Sequence, residues 1–118
     1  MKVMRIDRSS ENFYALMGPV FGSRVIEQDT KDRFYDDAGK VWYLIPGRGA
    51  ASVLGETIRN FWASAPEAAV LLLEALTEEY PRLDGIVPNK HEKSFKEMGF
   101  SCLGHRKNFL EVHYRAKD

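Results

Sequence analysis

The stretch from Leu83 to Tyr114 constrains the fold most, because its punctuation comes in a fixed order. A short apolar run, Ile86-Val87, ends at Pro88-Asn89 and reads as a strand. His91, Phe95 and Met98 follow at i, i+4 and i+7, one face of a short helix. Gly99 is placed to stop that helix, since glycine takes the left-handed conformation beyond a last turn without steric cost. Phe100 then leads into two strands, the second over Phe109 to Tyr114. The helix face should pack on the sheet, so Phe95 is expected to be a buried core residue.

The preceding residues read as alternating strands and helices. Val3, Met4 and Ile6 mark a first strand. Ser9 and Ser10 are good helix caps, because a hydroxyl accepts from a free N–H of the first turn. Phe13, Leu16, Met17, Val20 and Phe21 form an apolar stripe at helical spacing. Gly18-Pro19 predicts a break there, with a second helix from Pro19 to about Gln28. Asp36-Asp37-Ala38-Gly39 is a turn, and Val41 to Ile45 a strand rich in β-branched and aromatic residues. Pro46 to Gly49 reads as a hairpin turn, because no strand-loop-helix context supports a phosphate loop. Ala50 to Leu54 and Thr57 to Trp62 are two more strands around Gly55-Glu56. Ser64 and Glu67 fit a capping box for the longest helix, with Pro66 tolerated in its first turn. Ala69, Leu72, Leu73, Leu76 and Tyr80 are its core stripe, and Pro81 ends it.

At 118 residues the chain is expected to form a single domain spanning positions 1–118. Lys plus Arg and Asp plus Glu are 17 each, which argues against general nucleic-acid binding: that needs a positive face to displace counterions. The lone Cys102 excludes an internal disulfide and points to a reducing compartment; flanked by Phe100 and Leu103, it reads as a small core residue. The first residues lack a signal-peptide core, and the longest apolar run, Ala68 to Leu73, is too short to span a membrane. A cytoplasmic location, without membrane contact, is the expectation.

The whole order is strand, two short helices, three antiparallel strands, helix, strand, helix, two strands. It resembles that of the GNAT acetyltransferase superfamily over nearly the full length. Gly99-Phe100 and its flanks are similar to that family's helix-to-strand junction. Asp36-Asp37-x-Gly39-Lys40-Val41-Trp42 and Ile58-Arg59-Asn60-Phe61-Trp62 resemble segments of some phage- and plasmid-associated members. The resemblance implies an α/β fold: one GNAT-like domain with a mixed, mostly antiparallel sheet flanked by helices. It also implies transfer of an acetyl group from acetyl-CoA to an amine, borne by a small molecule or a protein. A homodimer is compatible with it.

In that family the fourth strand splays from the fifth, pantetheine pairs with main chain at the end of the fourth, and a glycine-rich loop holds the pyrophosphate. The resemblance places cofactor contacts at Trp62, Ala63, Ser64 and Asn89, with main-chain N–H groups of Trp62 to Ser64 polarising the thioester. Two departures stand out. The segment Ala63 to Ala69 has no glycine or arginine, Pro66 removes a donor, and Glu67 puts a carboxylate where the pyrophosphate would sit. Phe95 stands where the family often has the tyrosine that protonates the leaving thiolate, which a phenyl ring cannot do. Cofactor binding is therefore expected to be weak or absent, and an inactive binding or structural protein on the same fold is the alternative. His91 is either a surface histidine or a general acid or base at the cleft mouth. Glu56 is either a turn carboxylate or a catalytic group. His91, His105 and His113 form no tight ligand set, and no metal site is expected.

Overall fold

The computed structural model describes residues 1–117. Seven strands form one sheet in the order β1-β2-β3-β4-β5-β7-β6. They are β1 (Met4–Ile6), β2 (Val41–Ile45), β3 (Gly49–Leu54), β4 (Thr57–Ala63), β5 (Arg82–Pro88), β6 (Ser101–His105) and β7 (Phe109–Arg115). The helices are α1 (Phe13–Phe21), α2 (Arg24–Thr30), α3 (Pro66–Glu79) and α4 (Glu92–Glu97), the last preceded by a single 3-10 turn, Asn89–His91. Every neighbouring pair is antiparallel except β4 and β5. Those two are joined by α3, and a strand that returns parallel needs such a crossover. The expected α/β domain with a mostly antiparallel sheet is what the chain forms.

Helices cover the sheet unequally. On one face α3 lays Ala68, Ala69, Leu72, Leu73 and Leu76 against Tyr43, Ile45, Ala51, Phe61 and Ala63. On the other, α1 and α2 bury Phe13, Met17, Val20 and Ile26 with Trp42, Leu44 and Ala50. Successive residues of β2 thus point into two different cores. That is why Val41–Ile45 is continuously apolar rather than alternating. Over β5, β7 and β6 the second face has no helix on it: Ile86 and Leu103 stay exposed while Val87, Leu110 and Val112 are buried on the α3 side. The segment between α2 and β2 is pinned from below by Lys40. Its Nζ is buried and donates to Tyr35 O at 2.9 Å and Asn60 Oδ1 at 3.0 Å, with Asp37 at 3.3 Å.

Three local expectations are corrected. The helix break falls at Gly22-Ser23, not at Gly18-Pro19: α1 runs through Pro19, and α2 starts on Ser23, whose Oγ accepts from Ile26 N at 3.0 Å. A proline inside a helix costs about 3 kcal/mol. Here it sits in the last turn, where burial of Met17 and Val20 and the contact of Phe21 with Trp42 outweigh it. Ser9 and Ser10 cap no helix. Ser10 Oγ accepts from Asp7 N and Ser9 N donates to Asp7 Oδ1, closing a turn after β1, while Asn12 stands at the N-cap. Ser64 and Glu67 form no capping box, because the N-cap of α3 is Ala65, one residue later, with no side-chain cap. The stop at Gly99 is as expected (φ +93°). Phe100 N donates to Phe95 O at 3.0 Å and Gly99 N to Lys96 O at 3.1 Å, both bonds of a Schellman motif. The apolar contact that accompanies it is Phe95 on Phe100, centroids 5.0 Å apart.

Candidate functional site

The sheet has one place where adjacent strands part. β4 and β5 pair at Thr57↔Asp84 and Ile58↔Gly85 and then diverge, although both continue. Two sequence features open this gap. The register of β4 against β3 slips by one residue between Ile58 and Asn60, a bulge that leaves Arg59 extra and bends the strand. At the vertex lies Gly85, where a Cβ would fall 2.8 Å from Ile58 O, so no other residue allows so close an approach. β5 meanwhile follows β7, pairing along its whole length from Arg82↔Arg115 to Pro88↔Phe109.

Which main-chain groups face the gap follows from the antiparallel ladder with β3. Ser64 N donates to Arg48 O at 2.8 Å, so Ser64, and by alternation Trp62 and Asn60, direct their N–H groups at β3. The N–H groups of Phe61 and Ala63 point into the gap, where no strand meets them. Of the expected contacts Trp62, Ala63 and Ser64, only Ala63 therefore offers its main chain there. The Ser64 and Trp62 donors are taken by the hairpin partner.

α3 starts beside this gap, separated from β4 by Ser64 and Ala65 alone. Pro66 is its first residue, and Ala68 N and Ala69 N both reach Ala65 O, at 3.1 and 3.2 Å. The Glu67 N–H is left as the free donor of that turn among the described residues, under its own exposed carboxylate. Between this turn and α4 lies a cleft of about 650 Å³. Pro66, Val70 and Leu71 make its apolar wall; Lys90, His91, Lys93 and Ser94 make the other.

Of the two alternatives for His91, the surface histidine does not hold. It is 7% exposed, its ring rests on Phe61 with centroids 5.5 Å apart, and its Nε2 is buried without a hydrogen-bond partner. Burial first, and the Lys90 ammonium second, push the imidazole down to about 4, against a smaller lift from Asp29. At neutral pH it is an uncharged hydrogen-bonding group, unsuited to proton transfer. Asn89 turns away from the gap: its N donates to Asn108 O at 3.0 Å and its Nδ2 to Lys107 O at 3.3 Å, tying β5 to the β6–β7 turn. Glu56 is exposed in the β3–β4 turn, where its carbonyl accepts from Asp84 N at 3.0 Å. The length of β4, roughly 20 Å, separates it from Ser64. Phe95 is fully buried, packed on Phe61 at 4.9 Å. Cys102 is half-buried on the edge strand with its thiol pushed up by burial, the opposite of what a nucleophile needs.

The same vertex opens on the uncovered face into a smaller pocket of about 370 Å³. Arg59, Asp84, Ile86, Glu111 and His113 line it. Asp84 Oδ1 accepts from Thr57 Oγ1 at 2.9 Å, and His113 Nε2 lies 2.5 Å from Glu111 Oε2. Apart from the weighing of His113 as a metal ligand, sequence reasoning passed over these residues. Asp84 and His113 become neighbours only through the β5–β7 register. The one local signal is Glu111 and His113 at i, i+2 on a strand, which puts them on one face.

No protein-family model matches this sequence, and no curated protein matches it. Among solved structures, the crystal structure of the N-acetyltransferase PseH of Campylobacter jejuni is similar, with a TM-score of 0.61 and 11% identity. The match covers 99% of this chain and 100% of that one. The likeness shows a GNAT-like fold. No described helix is long and apolar enough to cross a membrane.

Proposed function

We propose that this chain is an N-acetyltransferase with weak affinity for acetyl-CoA. The observation that carries the reading is the gap between β4 and β5, toward which the N–H groups of Phe61 and Ala63 point from the edge that β5 leaves unpaired. Unpaired main-chain donors at a strand gap suit the amide and thioester oxygens of an acyl-pantetheine arm, as does the orphaned Nε2 of His91. Acetyl-CoA supplies an activated acyl thioester. The chain's part is to hold the carbonyl against main-chain donors and exclude water along the wall of Pro66, Val70 and Leu71. The first turn of α3 suits a pyrophosphate poorly: Pro66 removes one donor, and the Glu67 carboxylate repels an anion. Each effect costs roughly 1 kcal/mol, which together weakens binding by tens of fold. No phenol stands at position 95 to protonate the leaving thiolate, so that proton comes from elsewhere.

A second reading is favoured by Phe95 and Glu67: a binding or structural protein on the same fold that has given up the chemistry, in line with the phage-associated flavour of Asp36 to Trp42. Calorimetric titration of the full chain with acetyl-CoA, followed by a thiol-release assay over a panel of amines, separates the two. Micromolar or weaker binding with amine-dependent thiol release is the expected result. No heat at millimolar cofactor and no thiol release leave the second reading standing, and submicromolar binding refutes the argument about α3.

A further inference from the structure

We propose that the pocket at the β4–β5 vertex, on the face away from α3, is the seat of a zwitterionic acceptor of amino-acid size, its carboxylate on Arg59 and its ammonium beside Asp84, Glu111 and His113. This rests on the transferase reading for its role, though the site is argued from its own residues. At about 370 Å³ the pocket has the size of a small-molecule site. Its charges come in two kinds. The Arg59 guanidinium is exposed and makes no ion pair or side-chain hydrogen bond among the described residues, so its bidentate fork is free for a carboxylate. The other groups suit a cation. Asp84 and His113 are directly opposite across β5 and β7, and Ile86 is opposite Glu111. Two carboxylates therefore flank one imidazole, with the exposed Ile86 beside them to carry apolar atoms.

The imidazole is already oriented. A carboxylate accepts, so Nε2 of His113 is the ring nitrogen that donates to Glu111. The pocket lies on the face of the sheet away from α3, at the point where β4 and β5 last pair.

The test is an NMR titration of the full chain with each of the twenty amino acids and with their carboxamides, read at the His113 imidazole. At least one amino acid should shift that signal saturably. Its carboxamide, and the same amino acid with Arg59→Gln, should bind at least about tenfold more weakly, the loss of one charge-assisted bond. Arg59 is exposed, so the variant leaves the core untouched. The proposal is overturned if no amino acid moves the signal, or if carboxamides bind as well as the acids. Thiol release with acetyl-CoA separates the two failures. Amino-acid binding without thiol release sinks the transferase reading and keeps the site; thiol release by simple alkylamines, with no amino-acid binding, does the reverse.

Discussion

Acidification should weaken this protein through His91. The imidazole ordinarily titrates near 6.5 but is held at about 4 here, chiefly by burial and next by Lys90. That difference amounts to about 3 kcal/mol favouring the neutral form in the fold. The sign follows from proton counting. Between pH 6.5 and 4 the unfolded chain binds a proton that the folded chain does not, so stability falls as pH drops through that window and is flat in this respect above it. Glu92, held below its usual value by hydrogen bonds from Lys96 and His105, also responds to acid, so the informative quantity is a difference. His91→Gln keeps a polar side chain of similar reach and removes the titration. Urea unfolding of both proteins at pH 7.5, 5.5 and 4 should show the wild type losing about 2–3 kcal/mol more than the variant across the series. Parallel pH profiles would mean that His91 is hydrated in solution, and the reading of Nε2 as a buried atom awaiting a ligand would fall with it.

Phe95→Ala should cost about 3–5 kcal/mol in a thermal or urea melt, since the ring is fully buried between Phe61 and Phe100; an unchanged melting temperature would show that α4 is misplaced. Phe95→Tyr should lose about 1–3 kcal/mol for a buried hydroxyl, and a rise in its thiol release would mark the site as chemically competent. Gly85→Ala should destabilise by about 1–3 kcal/mol, because the new methyl meets Ile58 O at 2.8 Å at one of the two positions where β4 and β5 pair. Glu67→Gln should tighten acetyl-CoA binding by about two- to fivefold at low salt, measured by calorimetry.

The legible parts of the fold were those in which local chemistry and burial agree. Val41 to Ile45 and Thr57 to Trp62 read as strands because both faces of β2 and the α3 side of β4 are core, and Gly99 read as a stop because its φ of +93° suits glycine. The errors arose where tertiary contacts overrode a local rule. Pro19 stays helical because Val20 and Phe21 are held by the α1 core. Ser64 looked like a cap, but its N–H is drawn into the β3 ladder, which moves the helix start to Ala65. The site was half-legible for the same reason. Ala63 and His91 were reachable from the order of elements, although the burial of His91 was not. Arg59, Asp84 and His113 meet through a bulge and a strand register that no short window contains.

The gap and the vertex pocket are consequences of one backbone decision. A sheet satisfies its main chain by pairing, and a parallel pair inserted among antiparallel strands keeps its partners only while both strands share a course. Here β4 stays paired with β3 on both sides of the bulge at Arg59, while β5 remains paired with β7 for seven residues. The divergence leaves polar main chain unpaired in the middle of the fold, a cost the rest of the sheet does not bear. Gly85 keeps the vertex tight, so the opening is a wedge with its point at Ile58 and not a loose separation. α3 covers one side and starts where the wedge is widest; the other side has no helix over β5 and β7. Two chambers with different chemistry lie on opposite faces of the fold: a cleft with one apolar wall and neutral His91 on the α3 side, and a charged pocket with Arg59, Glu111 and His113 on the open side. The donors of Phe61 and Ala63 point into the wedge itself, and a variant that restored pairing across β4 and β5 would satisfy them and close it.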